Sequence, residues 1–233
     1  MRKYYKIIIK QIVDLYNNLY YDNIQTKIIM GTFAGPDIVT DGLVLSLDAA
    51  STRSYPGTGT IWYDLSGNGN DHTIVNAPTF ANGAFTLDQT QGFTLNSMPT
   101  LSTTASIVIF YKTTDQQELW LRGNNGNYYV AASNNNGDYY NGSVGSPSYF
   151  VDTLATINPN TPIDYRNGEY HMWEAKNCNF VIAATDWNQL AWFLYGSDWN
   201  INGTVAKIMM YDRALTAAES KQNFNAFKRR FDI

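Results

Sequence analysis

Cysteine is nearly absent from this 233-residue chain, where Cys178 stands alone. No disulfide can close within it, and no cysteine-based zinc site can form. Histidine is almost as scarce: His72 and His171 are the only two, and neither belongs to a metal-ligand spacing. Charged residues make up 15% of the chain and the net charge is −4. The clustered basic face that nucleic acid or an anionic membrane requires is therefore missing. No run of about 18 apolar residues occurs, so no segment has the length and character of a membrane-spanning helix.

The first 29 residues differ from the rest. They contain neither Gly nor Pro, and Tyr5, Ile8, Ile12, Tyr16 and Leu19 recur at close to helical spacing. A basic start before Ile7–Ile9 suggests a signal peptide. Lys10, Gln11 and Asp14 interrupt that apolar core, and no small-residue cleavage site follows. Two readings stay open for 1–29: an amphipathic helix that docks on a partner, or upstream sequence joined by a misplaced start, with Met30 the first true residue. From Met30 onward, 11 basic residues face 18 acidic ones. The expected organisation is this segment followed by one domain over 30–233.

That domain reads as strands. In "GLVLSLDA", Leu43, Leu45 and Leu47 alternate with Val44, Ser46 and Asp48, which predicts one buried face. Phe85, Leu87, Phe93 and Leu95 repeat the pattern, and "ASIVIFYK" is apolar on both faces, as in a central strand. Further candidates are "ELWLR", "NYYVAAS", "SYFVD", "EYHMWEAK", "NFVIAAT", "LAWFLYG" and "TVAKIMMYD", separated by clusters of Gly, Asn and Pro. Many short strands without long helices between them indicate an antiparallel sandwich. One helix is expected near the end. Thr216 and Glu219 form a capping box, Phe224, Phe227 and Phe231 share a face, and Lys228, Arg229 and Arg230 suit the last turn.

The segment "WYDLSGNGNDHT", Trp62 to Thr73, lacks the Lys of a phosphate loop. It reads as a turn, because Gly and Asn reach positive φ at low cost. The alternative is a calcium loop, with Asp64, Ser66, Asn68 and Asn70 offering oxygens at alternate positions; otherwise no cofactor is expected.

Residues 41–80, containing "DLSGNGNDHT", resemble the beginning of laminin-G-like, concanavalin A-like domains of bacteriophage structural proteins. Residues 203–231, containing "YDRALTAAE", resemble their end. The resemblance implies an all-β, concanavalin A-like jelly-roll sandwich of two antiparallel sheets with a short C-terminal helix. It implies that "LVLSLD" pairs with "VAKIMMYD", that Trp62 packs in the core, and that Gly67–Asn70 turns the chain into the next strand.

Glycoside hydrolases share this fold class and need paired carboxylates roughly 5–10 Å apart. The four glutamates, Glu118, Glu169, Glu174 and Glu219, start no E-x-D-x-E pattern, so no catalytic residue and no enzyme activity is expected. Carbohydrate binding needs aromatic rings beside Asn and Asp. Tyr139, Tyr140, Trp187 and Trp199, with Asn135, Asn136, Asp186 and Asp198, form the candidate glycan-binding set, on the expectation that the 123–147 and 185–200 segments are loops sharing one rim. Trp192 reads as core. The expected function is a non-enzymatic, lectin-like virion protein on the tail, fibre or capsid exterior, made in the host cytoplasm and adhering to host polysaccharide. Its expected partners are other virion proteins, copies of itself and that polysaccharide, with no nucleic acid and no membrane span. A purely architectural virion protein and a cellular laminin-G-like adhesion module are the alternatives.

Overall fold

The computed structural model describes residues 37–88, 90–95, 99–114, 118–122, 129–133, 139–142, 147–155, 166–181, 190–192 and 202–233. The strands form two sheets. One runs, in spatial order, β12 (Leu154–Ala155), β11 (Ser148–Val151), β13 (His171–Cys178), β7 (Ala105–Thr113), β15 (Asn202–Tyr211), β5 (Ala84–Asp88), β4 (Thr79–Ala81), and β1 (Leu43–Asp48) also pairs with β15. The second runs β10 (Tyr139–Gly142), β9 (Tyr129–Ser133), β8 (Glu118–Arg122), β14 (Leu190–Trp192), β6 (Gly92–Leu95), β3 (His72–Val75), β2 (Ile61–Trp62). Neighbouring strands are antiparallel throughout the described residues. The chain is an all-β sandwich of eight and seven strands with one C-terminal helix, α1 (Ala217–Phe231).

Two apolar layers explain why β7 is hydrophobic on both faces. Ile107, Ile109 and Tyr111 point between the sheets, where they meet Leu45, Leu47, Trp62, Phe85, Phe93 and Trp173. Val108 and Phe110 point outward to a second cluster with Met209, Tyr211, Leu215 and Phe231. As expected from the resemblance, β1 pairs with β15, with Asp48 opposite Lys207 and Leu47 opposite Ile208. Trp62 is fully buried.

The strict alternation expected for β1 is corrected. A bulge between Leu43 and Leu45 turns Leu43 to the outer cluster, while Val44 packs against the inner one. One extra residue in a ladder reverses the facing of what precedes it. The strand expected over "NFVIAAT" is not formed at its start: Phe180 is buried outside any strand and Val181 is exposed, the remainder lying outside the described residues.

The helix begins as its capping box predicts. Thr216 Oγ1 accepts from Glu219 N, and Glu219 Oε2 accepts from Thr216 N at 2.8 Å. Arg213 grips the same glutamate through Nη2 at 2.6 Å and Nη1 at 3.0 Å, and its Nε lies 2.9 Å from Asp41 Oδ2. The face that docks is only half aromatic. Ser220 and Asn223 are buried at its start and Phe231 at its end, whereas Phe224 and Phe227 are partly exposed. Phe231 stacks on Phe110 at 5.0 Å and lies 4.9 Å from Tyr170.

Polar side chains fill the rest of this seam. Asn223 Oδ1 accepts from Val39 N, and its Nδ2 donates to Tyr211 Oη, which donates to Val39 O. Arg230 Nη1 donates to both oxygens of Asp48 at 2.8 and 2.9 Å, and Lys207 Nζ reaches Asp48 Oδ2 at 3.3 Å. Burial alone would raise the Asp48 carboxyl, but Lys207 and Arg230 together hold it below its ordinary range. Farther along, Lys176 Nζ donates to Ser220 Oγ at 2.6 Å, and Ser220 Oγ donates to Glu174 Oε1 at 2.9 Å. Burial pushes Glu174 up to about 7, against the pull of Lys176 and Ser220.

Replacing Phe231 by Ala is expected to remove about 3 kcal/mol of stability, and Phe224→Ala less, because Phe224 is partly exposed. Urea denaturation midpoints check this, and equal losses would show that the helix is seated otherwise. Glu174 gives a pH test. Its folded carboxyl titrates near 7 against an ordinary 4.5, so its stabilising contribution is present below that ordinary value and is lost as pH rises through 7. Glu174→Gln keeps a neutral side chain at every pH. The variant's advantage in melting temperature over the native chain should grow between these two values and level off above them. A difference independent of pH would contradict the assignment.

Candidate ligand-binding site

The loop from Asp64 to Asn70 is organised around one carboxylate. Asp64 Oδ1 accepts from Ser46 N and Ser66 N, each at 2.8 Å, and Asp64 Oδ2 accepts from Ser66 Oγ at 2.6 Å and Asn70 N at 3.1 Å. Leu65 N donates to Ser46 O, which ties the loop to the middle of β1. Asn68 Nδ2 donates to Leu43 O at 3.2 Å and Ser66 Oγ at 3.0 Å, and Asn70 Nδ2 donates to Val44 O at 2.7 Å. Gly67 and Gly69 take φ of +90° and +74°, which allows the tight path. The turn reading is therefore the one the geometry follows. The four residues named for calcium are donors and acceptors to one another and to β1. A cation at Asp64 would compete with two hydrogen bonds at each carboxylate oxygen it bound.

His72 follows the loop and is fully buried, with Nδ1 2.9 Å from Asn70 O. Burial pushes its pKa down to about 4, so the neutral imidazole serves as a structural donor to that carbonyl. His171 lies at the opposite edge, Nδ1 2.7 Å from Asp152 Oδ2 and Nε2 3.2 Å from Asn167 Oδ1. Asp152 Oδ1 also accepts from Met172 N, which locks the turn between β11 and β12. Burial raises the Cys178 thiol well above its ordinary value.

The two outer faces of the sandwich differ. On that of the eight-stranded sheet the helix packs over β7, β13 and β15, while Thr79 and Thr86 stay exposed and Thr204 half-buried beyond it. Among the described residues, no apolar cluster covers that of the seven-stranded sheet. Its ladder aligns Ile61, Thr73, Thr94, Ala191, Arg122, Tyr129 and Gly142 in one row, in which Thr73 is exposed and Thr94 half-buried. The adjoining row contains Ile74, Phe93, Trp192, Leu121 and Val130, and Ile74, Phe93 and Leu121 belong to the inter-sheet core. Trp192 thus takes a core-row position.

Of the candidate glycan-binding set, Asn135, Asn136, Asp186, Trp187, Asp198 and Trp199 lie outside the described residues. Tyr139 and Tyr140 fall on β10, opposite Ser133 and Ala132. Within the segment 123–147, expected to supply a loop rim, the strand read in "NYYVAAS" forms as β9, and Tyr139–Gly142, expected in a loop, instead forms β10 at the edge of the open sheet.

No family model matches the sequence, and no curated protein sequence is significantly similar to it. Solved structures share the fold. Domain 4 of AbnA, a GH43 extracellular arabinanase from Geobacillus stearothermophilus, solved in complex with arabinotriose, matches with a TM-score of 0.51 at 13% identity, over 78% of this chain and 98% of that one. Trypanosoma rangeli sialidase matches with a TM-score of 0.50 at 14% identity, over 90% of this chain but 38% of the sialidase. At such identities the likeness shows the fold, a two-sheet β-sandwich of jelly-roll type.

With Asp64 as a structural hub, Asp64→Ala should cost about 1.5–3 kcal/mol, the scale of hydrogen bonds to a charged group. Calcium or EDTA should leave the native melting temperature unchanged. A calcium-dependent rise that disappears in Asp64→Ala would reinstate the cation.

Proposed function

We propose that this chain is a non-enzymatic, lectin-like module of a virion structural protein, carried on a tail, fibre or capsid exterior, that holds host-surface polysaccharide. The observation that carries the reading is the asymmetry of the sandwich. One outer face carries α1 over its centre, while the described part of the other carries no helix and presents small polar side chains such as Thr73 and Thr94. Such a face suits a hydroxyl-rich chain lying across strands, with aromatic platforms supplied from its edge. Tyr139, Tyr140, Trp187 and Trp199, with Asn135, Asn136, Asp186 and Asp198, are the residues we propose for the glycan contacts. An arabinanase domain of this fold was solved with arabinotriose, so the architecture accommodates an oligosaccharide. The virion setting rests on the resemblance of residues 41–80 and 203–231 to domains of phage structural proteins.

The non-catalytic part of the reading rests on how the described carboxylates are used. Asp48 holds Lys207 and Arg230, Asp64 holds its loop, and Asp152 holds His171 and Met172 N. Glu174 lies beneath the helix and Glu219 caps it. Each of these five carboxylates is taken up by structural partners rather than offered as an acid–base pair.

Single-site affinity should be roughly millimolar to micromolar, and display in many copies should strengthen it by about a hundredfold or more. Titration of host surface polysaccharide against the multimerised protein, followed by tryptophan fluorescence, checks this. Saturable binding weakened by Trp187→Ala, Trp199→Ala or Thr94→Trp, without release of reducing ends, is the expected result. Absence of binding by the multimer would favour the architectural reading, and sugar release would overturn the non-enzymatic one.

A further inference from the structure

A second polar opening lies where the Asp64 loop crosses β1. Val44, Asn68, Asn70, Pro99 and Thr100 line an open pocket of about 250 Å³. Its chemistry follows from which way the two amides are turned. Each Nδ2 donates to a backbone carbonyl of β1, which fixes each Oδ1 as the opposite end of its amide. Asn68 spends both amide hydrogens, on Leu43 O and Ser66 Oγ, while Asn70 spends one. The pocket is thus lined mainly by polar groups, those of the two oriented amides and Thr100, with Val44 and Pro99 beside them. Among the described residues, no charged side chain lines it.

We infer that this pocket is a subsite for one neutral sugar unit. A sugar hydroxyl both donates and accepts, which matches the mixed set at Asn68, Asn70 and Thr100. An anionic ligand would meet carbonyl oxygens and no cation. The volume lies below the roughly 300–1,000 Å³ of drug-sized sites, so one ring enters and a longer chain runs out over the rim. The donors are preorganised, because the hydrogen bonds that orient the amides also hold the loop on β1, and little ordering remains for the ligand to impose. The inference rests on the carbohydrate-binding reading and adds a position separate from the open sheet.

The test is a nitrogen–proton NMR titration of the full chain with glucose, galactose, mannose and rhamnose separately, with glucuronate as the charged control. At least one neutral sugar should give saturable shifts of the Asn68 and Asn70 side-chain amides and the Thr100 backbone amide, and glucuronate none. Thr100→Trp fills the pocket without touching the amide anchors. It should abolish those shifts while the spectrum stays folded. Should neutral sugars leave these signals unmoved while polysaccharide still shifts Thr73 and Thr94, the subsite is wrong and the adhesion reading survives. If no saccharide moves any signal, both fall. Equal response to glucuronate would overturn the neutral-ligand assignment.

Discussion

The ladder between β1 and β15 is the contact from which the helix-covered half of the molecule is built. It joins segments about 160 residues apart; Lys207 Nζ and Ser46 Oγ, 3.5 Å apart across it, are separated by 161. Closing a loop of that length costs about 4–5 kcal/mol in the length-dependent part of its entropy alone. A single cross-strand pair contributes about 0.2–1 kcal/mol, so no one pair can hold the ends together. The whole ladder must form, and it brings Asp48, Lys207 and Tyr211 to the surface on which α1 lands. Once there, the helix returns the favour by capturing Val39 and Asp48, so each end of the domain fixes the other.

The seam between helix and sheet is unusual in being part aromatic and part ionic. Its ion pairs are not a large net source of stability, since desolvation offsets most of the attraction. Their consequence is positional. If the helix slid by one turn, Arg230 would leave Asp48 and Lys207 facing each other without it, and Ser220 would leave Glu174 and Lys176 buried. Removing one partner from such a pair costs about 3–5 kcal/mol. The aromatic half of the seam would tolerate such a slip far better, so the charges set the seating that the rings then fill.

The motifs legible in the sequence turn out to be the fastenings of the fold. In "YDRALTAAE", Tyr211 binds Val39 O, Arg213 forks Glu219, Leu215 joins the outer core and Thr216 caps the helix. In "DLSGNGN", Asp64 collects the loop and the two asparagines pin it to β1. Strand identity was readable wherever alternation survived. The facing of Leu43 and Val44, not their strand, was misjudged, because a bulge has no local signature in a run of apolar residues. The buried network was missed for a related reason. Glu174, Lys176 and Lys207 sit at alternate positions in apolar strands, which reads as a solvent-facing row until the helix is laid over it. A lysine inside "VAKIMMYD", facing the same side as Met209, was the available signal. The candidate site was less legible. Aromatic and Asn-rich composition marked a region and "NYYVAAS" gave β9, but the edge strand β10 and the amide-lined pocket beside β1 depend on pairings that no local pattern encodes.

The direction in which α1 runs gives the domain a mechanical character. The chain enters beside Tyr211, where Val39 is held, and the helix ends beside Asp48, at the other end of β1. Tension applied through these two points would pull the helix lengthwise along the sheet rather than peel it away. The Asn223, Ser220 and Arg230 contacts would then share the load and yield together, whereas peeling would break them in turn. A module loaded in this way resists force best along the axis joining its own two flanks.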